Sequence, residues 1–276
     1  MFWGHYTRTC IAVLCVWASL VSIALLADRS GRSRDLPCCL FKGRWLGEGP
    51  PSVELVLAHY NQNVTWLDPL MAKLGERAKL TVYSKGPAPP PGAQILPNVG
   101  REAHTYLHHL HNRYDSLADV TIFLMASAGK TQDKQKKLVE IQDNWQQALS
   151  NGFFCSGLDD NAPEEGYTQD SWKGSTDTGW IQLDPASPRP YGLWFAEYAG
   201  GKLPTAWCPT ATMAVHRRRV RLRPRSFYGV LLEQLSVGRD LEAAHFLERS
   251  WSAMFYQAEA MACAASPFRP RPLLGK

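Results

Sequence analysis

The sequence lacks the short motifs that mark several classes of protein. It contains no zinc-finger spacing, no RNA-binding signature and no basic zipper, so we expect no nucleic-acid partner. Its seven cysteines include no Cys-x-x-Cys pair, which argues against the usual zinc and redox patterns. A Gly-x-Ser-x-Gly elbow and a convincing Cys–His arrangement are also absent, so the motifs do not favour a hydrolase.

The composition is that of an ordinary folded protein. The 276 residues suffice for one globular domain plus an anchor, and 20% of them are charged. The formal net charge is +5, and much of the basic excess lies between Arg217 and Arg225. A modest basic balance fits anionic ligands or membrane surfaces.

The apolar run over residues 10–27 is about the shortest stretch that can cross a bilayer as a helix. We expect a transmembrane signal anchor there, although Ala24 and Ala27 leave a cleaved signal peptide open. The flanking arginines slightly favour a cytoplasmic C-terminal domain. The predicted layout begins with a short tail (residues 1–9), the anchor (10–27) and a stem (28–52). An α/β domain (53–262) and a flexible tail (263–276) follow.

Alternating strands and helices predict an α/β layer fold with a mainly parallel sheet. The predicted strands cover residues 53–58, 80–83, 119–125 and 211–216. Predicted helices cover residues 66–74, 131–149, 225–237 and 240–261, and another follows Asn98. Residues 153–205 read as a long, aromatic-rich loop, which is typical of a segment that covers a site. In such folds the ligand lies beyond the carboxyl ends of the strands.

The segment LPNVGREAHTYLHHL combines a turn with an amphipathic helix. Asn98 can cap the first exposed amides, and Gly100 keeps the turn compact. With Arg101 beside them, these amides suit a phosphate or a carboxylate. Glu102 and His104 lie in the first turns and are candidates for acid–base chemistry. Taken alone, this segment favours the alternative of an ordinary capped core helix.

Five segments of the chain resemble the eukaryotic family named "domain of unknown function 3431". They follow the family's order over roughly residues 53–256: VELVLAHYNQNVTWL, LPNVGREAHTYLHHL, YDSLADVTIFL, WCPTATMAVHRRRVRLRPRSFY and HFLERSWSAMF. The family's layout looks like that of A-type glycosyltransferases, which are often type II membrane proteins. The resemblance therefore implies an α/β fold that is glycosyltransferase A-like, in which a mainly parallel Rossmann-like sheet is flanked by helices. It also implies an N-terminal transmembrane helix before this domain.

The resemblance, together with the sequon Asn63-Val64-Thr65, implies a single-pass membrane protein whose C-terminal domain faces the lumen of the Golgi or the endoplasmic reticulum. We therefore expect Asn63 to be glycosylated. An oxidising lumen permits disulfides. Cys155 with Cys208 is the pair that we guess, since sequence alone does not fix the pairing.

The loop after the first strand contacts the nucleotide in Rossmann-like sites, which makes Tyr60 and Asn61 candidate ligands. The family prefers acidic residues where this chain has Gln62 and Asn63. A glycan on Asn63 would obstruct a nucleotide pocket at this loop. Either the glycan points outward, or the sequon is unused, or the site has degenerated. A plain polar loop is an equally open interpretation.

Metal dependence stays open. Many A-type transferases hold Mn or Mg with an Asp-x-Asp at a strand end. Here the third strand runs into residues 125–128, MASA, where the family usually has Gln first. Asp159 and Asp160 lie in the long loop instead. His104, His108 and His111 share one helix stripe that can hold zinc or copper, but ordinary surface histidines are favoured. We assign no metal ligand.

Two further groups complete the candidate site. Six arginines follow the 211–216 strand, and we expect Arg217 or Arg219 to reach an anionic donor while the others stay solvated. Glu248 borders the apolar face of the last long helix, where a raised pKa would suit a base. A structural pair of Glu248 with Arg249 is the alternative.

These observations favour a transferase that moves a sugar from a nucleotide donor to a hydroxyl of a glycan or protein acceptor. Glu102 or Glu248 would deprotonate that hydroxyl, and Arg101 with the helix amides would stabilise the departing diphosphate. The alternative is a catalytically silent glycan- or partner-binding membrane protein on the same fold. The missing strand-end acids favour that alternative.

Overall fold

The computed structural model describes residues 49–162, 164–173 and 179–255. The strands are β1 (Val53–His59), β2 (Ala78–Ser84), β3 (Gln94–Ile95), β4 (Val120–Met125), β5 (Phe153–Cys155), β6 (Ser171–Lys173), β7 (Trp180–Gln182) and β8 (Met213–His216). Six of them form one sheet in the order β3-β2-β1-β4-β8-β5, and β6 pairs with β7. The predicted α/β fold with a mainly parallel sheet is confirmed.

The helices lie on both faces of the sheet. They are α1 (Leu67–Leu74), α2 (Arg101–Asn112), α3 (Gln132–Asn144), α4 (Gln147–Asn151), α5 (Tyr191–Tyr198), α6 (Arg217–Val220), α7 (Arg225–Gln234) and α8 (Glu242–Phe255). One core joins α1 and α3 to the sheet, and the other joins α2, α5, α7 and α8 to the opposite face. Alternate side chains of β1 and β4 enter the two cores, which explains why both strands are continuous apolar runs.

Strand direction decides which residues meet. β3, β2, β1 and β4 are parallel, whereas β8 is antiparallel to both β4 and β5. Met213 at the start of β8 lies opposite Phe123 near the end of β4, and His216 lies opposite Val120. The segment before β8 therefore lies at the carboxyl edge of β4, and the segment after β8 lies at the opposite edge.

The predicted long loop over residues 153–205 is wrong in part, because it contains β5, β6, β7 and α5. Glu242, which is fully buried, holds this region. Its carboxylate accepts hydrogen bonds from the backbone amides of Gln169 and Ala186 at 2.7 and 2.8 Å and pairs with Arg189 at 2.9 Å. The segment is thus attached to α8 through buried charge-assisted bonds.

Other sequence predictions are refined rather than replaced. The predicted 131–149 helix is two helices, α3 and α4, and the strand predicted over residues 211–216 begins at Met213. The guessed disulfide is present, since Cys155 and Cys208 are bonded. Within residues 49–162, 164–173 and 179–255, no helix is long and apolar enough to cross a membrane. The predicted anchor at residues 10–27 and the tail at residues 263–276 lie outside the described residues.

Candidate functional site

The candidate site lies at the carboxyl edge of the sheet, beyond the ends of β1 and β4, from which the chain continues into α1 and α3 on the same face. β1 lies between β2 and β4, so the strand order reverses there, which is where open α/β sheets bind ligands. A cleft of about 280 Å³ occupies this position. It is lined by Asn63, Thr65, Trp66, Ala126, Gly129 and Lys130. The cleft therefore brings the loop after β1 against the turn after β4.

Trp66 forms one wall of this cleft and packs closely on Gly129. A Cβ atom added to Gly129 would lie 2.9 Å from the Trp66 ring, so a larger residue there would displace the tryptophan. The Trp66 indole nitrogen is buried without a hydrogen-bond partner. A buried unpaired donor is rare in proteins, and a ligand or water in the cleft would satisfy it.

Glu248 reaches the same edge from α8. Its carboxylate accepts a hydrogen bond from the Thr210 backbone amide at 2.7 Å, and an oxygen lies 3.9 Å from Arg249. Burial and the nearby charge of Glu102 raise the pKa of Glu248. A carboxyl group with a raised pKa, at the ligand end of an α/β sheet, is a candidate general base.

Glu102 lies in the first turn of α2, beside Lys85 at the end of β2. The Lys85 ammonium donates to the carbonyl oxygen of Val99 at 2.6 Å and to that of Arg101. Burial lowers the pKa of Lys85 to about 7, and the charge of Glu102 opposes this shift. The structure thus brings together both carboxylates that the sequence proposed as catalytic, next to a lysine that the sequence reasoning missed.

Left-handed backbone occurs at residues next to both carboxylates. In the part of the chain that the structure describes, the non-glycine residues with positive φ are Arg101, Thr210 and Ala211, at 49°, 67° and 47°. Arg101 precedes Glu102, and Thr210 donates its amide to Glu248. Such conformations cost of the order of 1–3 kcal/mol each and cluster at functional sites. The strain at these positions supports the assignment of this edge as the site.

Ser127 and Lys134 add a further contact. Ser127 lies in the 3-10 turn Ala126–Gly129, immediately after β4, and its Oγ accepts a hydrogen bond from the Lys134 Nζ of α3 at 3.0 Å. Burial lowers the pKa of Lys134, and the charges of Glu102 and Glu248 oppose this shift. The sequence reasoning missed this pair because seven positions separate its members.

The start of α2 differs from its predicted role. Asn98 does not cap the helix, because the N-cap residue is Gly100, in the left-handed conformation and without a side-chain cap. The Gly100 amide donates to the carbonyl of Gly238 at 2.8 Å, and a Cβ at Gly100 would lie 2.6 Å from the Leu235 carbonyl. The loop after α7 therefore packs against this helix end, which is not an open anion site.

Arg101 is engaged within the protein. Its guanidinium pairs with Asp240 and lies 4.2 Å above the ring of Trp172. These contacts hold β6 and the start of α8 to α2. The predicted contact of Arg101 with a diphosphate would require these interactions to break, so we withdraw Arg101 from the proposed anion site.

Arg217 and Arg219 lie at the wrong edge of the sheet for their predicted role. They follow β8, whose antiparallel direction carries the chain to the amino ends of β1 and β4. Arg217 pairs with Asp119 at 2.7 Å, just before β4, and Arg219 donates to the Asn151 carbonyl at 2.7 Å. The predicted role was wrong because β8 is antiparallel to β4, and hydrophobic periodicity does not reveal the direction of a strand.

The loop after β1 forms hydrogen bonds between its own residues. The Gln62 side-chain oxygen accepts hydrogen bonds from the backbone amides of Tyr60 and Asn61 at 3.0 and 3.2 Å. Asn63 is exposed, and its side-chain oxygen accepts from the Thr65 amide at 2.8 Å. Tyr60 and Asn61 are exposed next to the cleft without lining it, whereas Asn63 lines it. A glycan on Asn63 would start at the cleft.

His104 is buried below the site. Burial, with the charges of Lys85 and His108, lowers its pKa to about 3, so the imidazole stays neutral. Its Nδ1 is buried without a hydrogen-bond partner. A neutral buried histidine fits a packing role or a hydrogen-bonding role better than that of a general acid.

The residues at the strand end do not fit the metal site of A-type transferases. Met125 to Ala128 supply no carboxylate, and Asp159 in the long segment caps its own turn by accepting from Asn161 at 2.8 Å. Across the described ranges, no group of three or more His, Cys, Asp or Glu side chains is arranged to hold a metal. We derive no step through a metal.

Aromatic side chains of the long segment flank the site. Arg249, next to Glu248, lies 4.3 Å from the Tyr167 ring and 4.8 Å from the Trp207 ring. Its Nη1 donates to the His245 carbonyl at 2.9 Å. Arg249 therefore contacts two rings and a carbonyl in addition to Glu248, with which it forms a long ion pair at 3.9 Å, so the structural pair of Glu248 with Arg249 is present beside the proposed catalytic role.

Comparison with known proteins gives one family. Residues 55–152 match the family described as "Protein of unknown function (DUF3431)". The searches of curated proteins and of solved structures returned no match. The match supports the resemblance seen in the sequence and carries no assigned activity.

The segment that matches DUF3431 contains most of the candidate site. Lys85, Glu102, Ser127 and Lys134 all fall inside it, as does the complete lining of the cleft. Glu248 lies beyond it, on the far side of the Cys155–Cys208 disulfide. The site therefore joins the matched region to a C-terminal part that the match does not cover.

Proposed function

We propose that the protein is a glycosyltransferase that binds a nucleotide sugar at the carboxyl edge of its sheet, with Glu248 as the base that activates the acceptor hydroxyl. The proposal depends chiefly on the environment of Glu248. This carboxylate is held by the Thr210 amide, has a raised pKa and lies beside Glu102 at the ligand end of the sheet. A fixed carboxylate whose pKa is raised by burial suits the role of a general base.

The cleft between β1 and β4 supports the donor part of the proposal. Trp66 offers an aromatic wall and an unpaired donor, and Lys130 offers a positive charge at the opening. Stacking of a base on an aromatic ring contributes about 1–3 kcal/mol. Lys130 replaces Arg101, Arg217 and Arg219 as the cation proposed to contact the diphosphate.

The proposed reaction needs few groups. Glu248 accepts the proton of the acceptor hydroxyl as that oxygen attacks the anomeric carbon of the donor. The bond between that carbon and the diphosphate oxygen breaks, and the nucleoside diphosphate leaves with the electron pair. Positive charge near the departing oxygens stabilises them.

Donor binding is tested by calorimetry on the purified full-length chain with a panel of nucleotide sugars. We expect saturable binding, and Lys130→Met should weaken it by about 1.5–3 kcal/mol, the usual scale of a charge-assisted hydrogen bond. Lys136→Met, a change of an exposed lysine on α3, is the matched control. Absence of binding to every donor by the folded chain would contradict the proposal.

A catalytically silent binding protein is the second candidate, and one observation favours it. The loop amides after β1 are occupied by Gln62, so they are less available to a nucleotide. Calorimetry with a panel of glycans beside the nucleotide sugars separates the candidates, because a silent module would bind glycans without binding any nucleotide sugar. The luminal location and the Asn63 glycan stay predictions.

A further inference from the structure

We propose that Ser127 and Lys134 form a nucleophile–base pair that cleaves small carboxylic esters, an activity separate from sugar transfer. The chain lacks the Gly-x-Ser-x-Gly elbow, but catalytic serine pairs are recognised by geometry and role rather than by sequence motif. Lysine serves as the base in some of them. The inference rests on the position of Ser127, the fixation of its turn and its contact with Lys134.

Ser127 lies where a nucleophile would be expected in this fold. It follows the last residues of β4, a central strand, at the carboxyl edge where ligands bind. Ala126 and Ala128 on either side are buried, whereas Ser127 is partly exposed. The turn that carries Ser127 also supplies Ala126 and Gly129 to the cleft wall. The serine is therefore displayed next to the cleft by a packed turn.

The turn is fixed by two hydrogen bonds. The Lys130 amide donates to the Ser127 carbonyl at 3.0 Å, and the Gln135 side chain donates to the Gly129 carbonyl at 2.8 Å. A nucleophile needs such support, because a misplaced reacting atom loses much of the benefit of its position. The turn thus gives Ser127 a defined position relative to α3.

Lys134 approaches Ser127 from the first turn of α3. Its Nζ lies 3.0 Å from the Ser127 Oγ, within the range for a base that takes up the hydroxyl proton. Burial lowers the pKa of Lys134, so part of the amine is neutral at a lower pH than in a solvated lysine. Glu102 and Glu248 raise that pKa, whereas Lys130 and Lys137 lower it.

Ester cleavage by Ser127 and Lys134 would proceed through an acyl-serine. The Ser127 Oγ attacks the ester carbonyl carbon while its proton passes to the neutral Lys134 amine, which gives a tetrahedral intermediate. That intermediate breaks its bond to the alcohol oxygen, which takes the proton back from Lys134 and leaves as the free alcohol. Water then attacks the acyl-serine, again giving a proton to Lys134. The carboxylic acid leaves, and Ser127 regains its proton.

The turn that carries Ser127 indicates the class of ester. Ser127 does not line the cleft itself, but Ala126 and Gly129 of the same turn do, and their small side chains leave room for a short acyl group beside the serine. We therefore infer acetyl-sized esters as substrates. Long-chain esters are expected to react poorly.

A serine-directed fluorophosphonate probe tests the pair on the purified full-length chain, with the labelled residue located by peptide mass mapping. We expect labelling at Ser127, none there in Ser127→Ala, and a loss of about 100-fold or more in labelling rate in Lys134→Met, the lower range for a general base. Lys134→Arg should also lose labelling, because arginine keeps the charge but does not act as a base. Lys136→Met is the matched control on the same helix.

Two results would overturn the inference. One is a folded wild-type chain, verified by circular dichroism, in which Ser127 stays unlabelled. The other is a Lys134→Arg variant that labels at the wild-type rate, which would make Lys134 a structural support of the turn. A short-ester hydrolysis assay with acetyl and octanoyl substrates adds a second measurement, in which faster octanoyl cleavage would contradict the proposed substrate class.

Discussion

At the scale of single residues, Arg101 illustrates how a plausible ligand contact gives way to a packing role. Its side chain is 20% exposed, and its guanidinium pairs with Asp240 and lies above the ring of Trp172. The sequence places a cation at a helix start and so suggests an anion site. Its actual partners come from 71 and 139 positions further along the chain, and no local pattern reports contacts at that separation.

The partners of Arg101 predict the effect of its removal. Arg101→Ala should lower the free energy of unfolding by about 1–3 kcal/mol, through the loss of a charge-assisted bond and a cation–π contact. Nucleotide-sugar binding should stay within error of wild type. Urea unfolding and calorimetry measure the two quantities, with Arg225→Ala, an exposed arginine, as the control. Unchanged stability together with lost donor binding would restore the original anion-site hypothesis.

At the scale of secondary-structure elements, β1, β2 and β4 were predictable and β8 was predictable only in part. Buried parallel strands are short apolar runs, so composition alone reveals them. The direction of β8 depends on the long segment that precedes it, whose β6–β7 pair and α5 carry weak patterns. The sequence therefore named Glu102 and Glu248, which the structure places at one edge of the sheet, but assigned Arg217 and Arg219 to the wrong edge.

The disulfide is the element-scale contact with the clearest consequence. Cys155 at the end of β5 is bonded to Cys208, two residues before Thr210, whose amide holds Glu248. Replacing both cysteines by serine should lower the free energy of unfolding by roughly 2–4 kcal/mol, since the bond closes a loop of more than 50 residues. Urea unfolding measures the change. An unchanged midpoint would mean that the bond does not constrain the unfolded chain.

At the scale of the whole molecule, buried neutral histidines set the response to acid. Burial is the largest cause that lowers the pKa of His104 to about 3 and the pKa values of His109, His216 and His245 to about 4. An unfolded histidine titrates near 6.5. Between about pH 6.5 and 4, the unfolded chain therefore binds protons that the folded chain does not.

These histidines make the folded state less stable in acid. Stability should fall as the pH falls below about 6.5, with a limiting slope of about 1.4 kcal/mol per pH unit for each histidine. Glu248 opposes the trend with a single group, because its pKa is raised in the folded state. Urea unfolding at pH 7, 6 and 5 measures the slope, and His109→Gln should reduce it. Stability that is flat or rises over this range would contradict the account.

The central claim is that Glu248 is the base of a transfer reaction at the carboxyl edge of the sheet. The most direct measurement compares donor binding and turnover in Glu248→Gln on the full-length chain, using the nucleotide sugar that the wild type binds. The account predicts near-normal binding and turnover reduced by about 100-fold or more, with Glu233→Gln on α7 unchanged. A folded Glu248→Gln variant that turns over like wild type would contradict it.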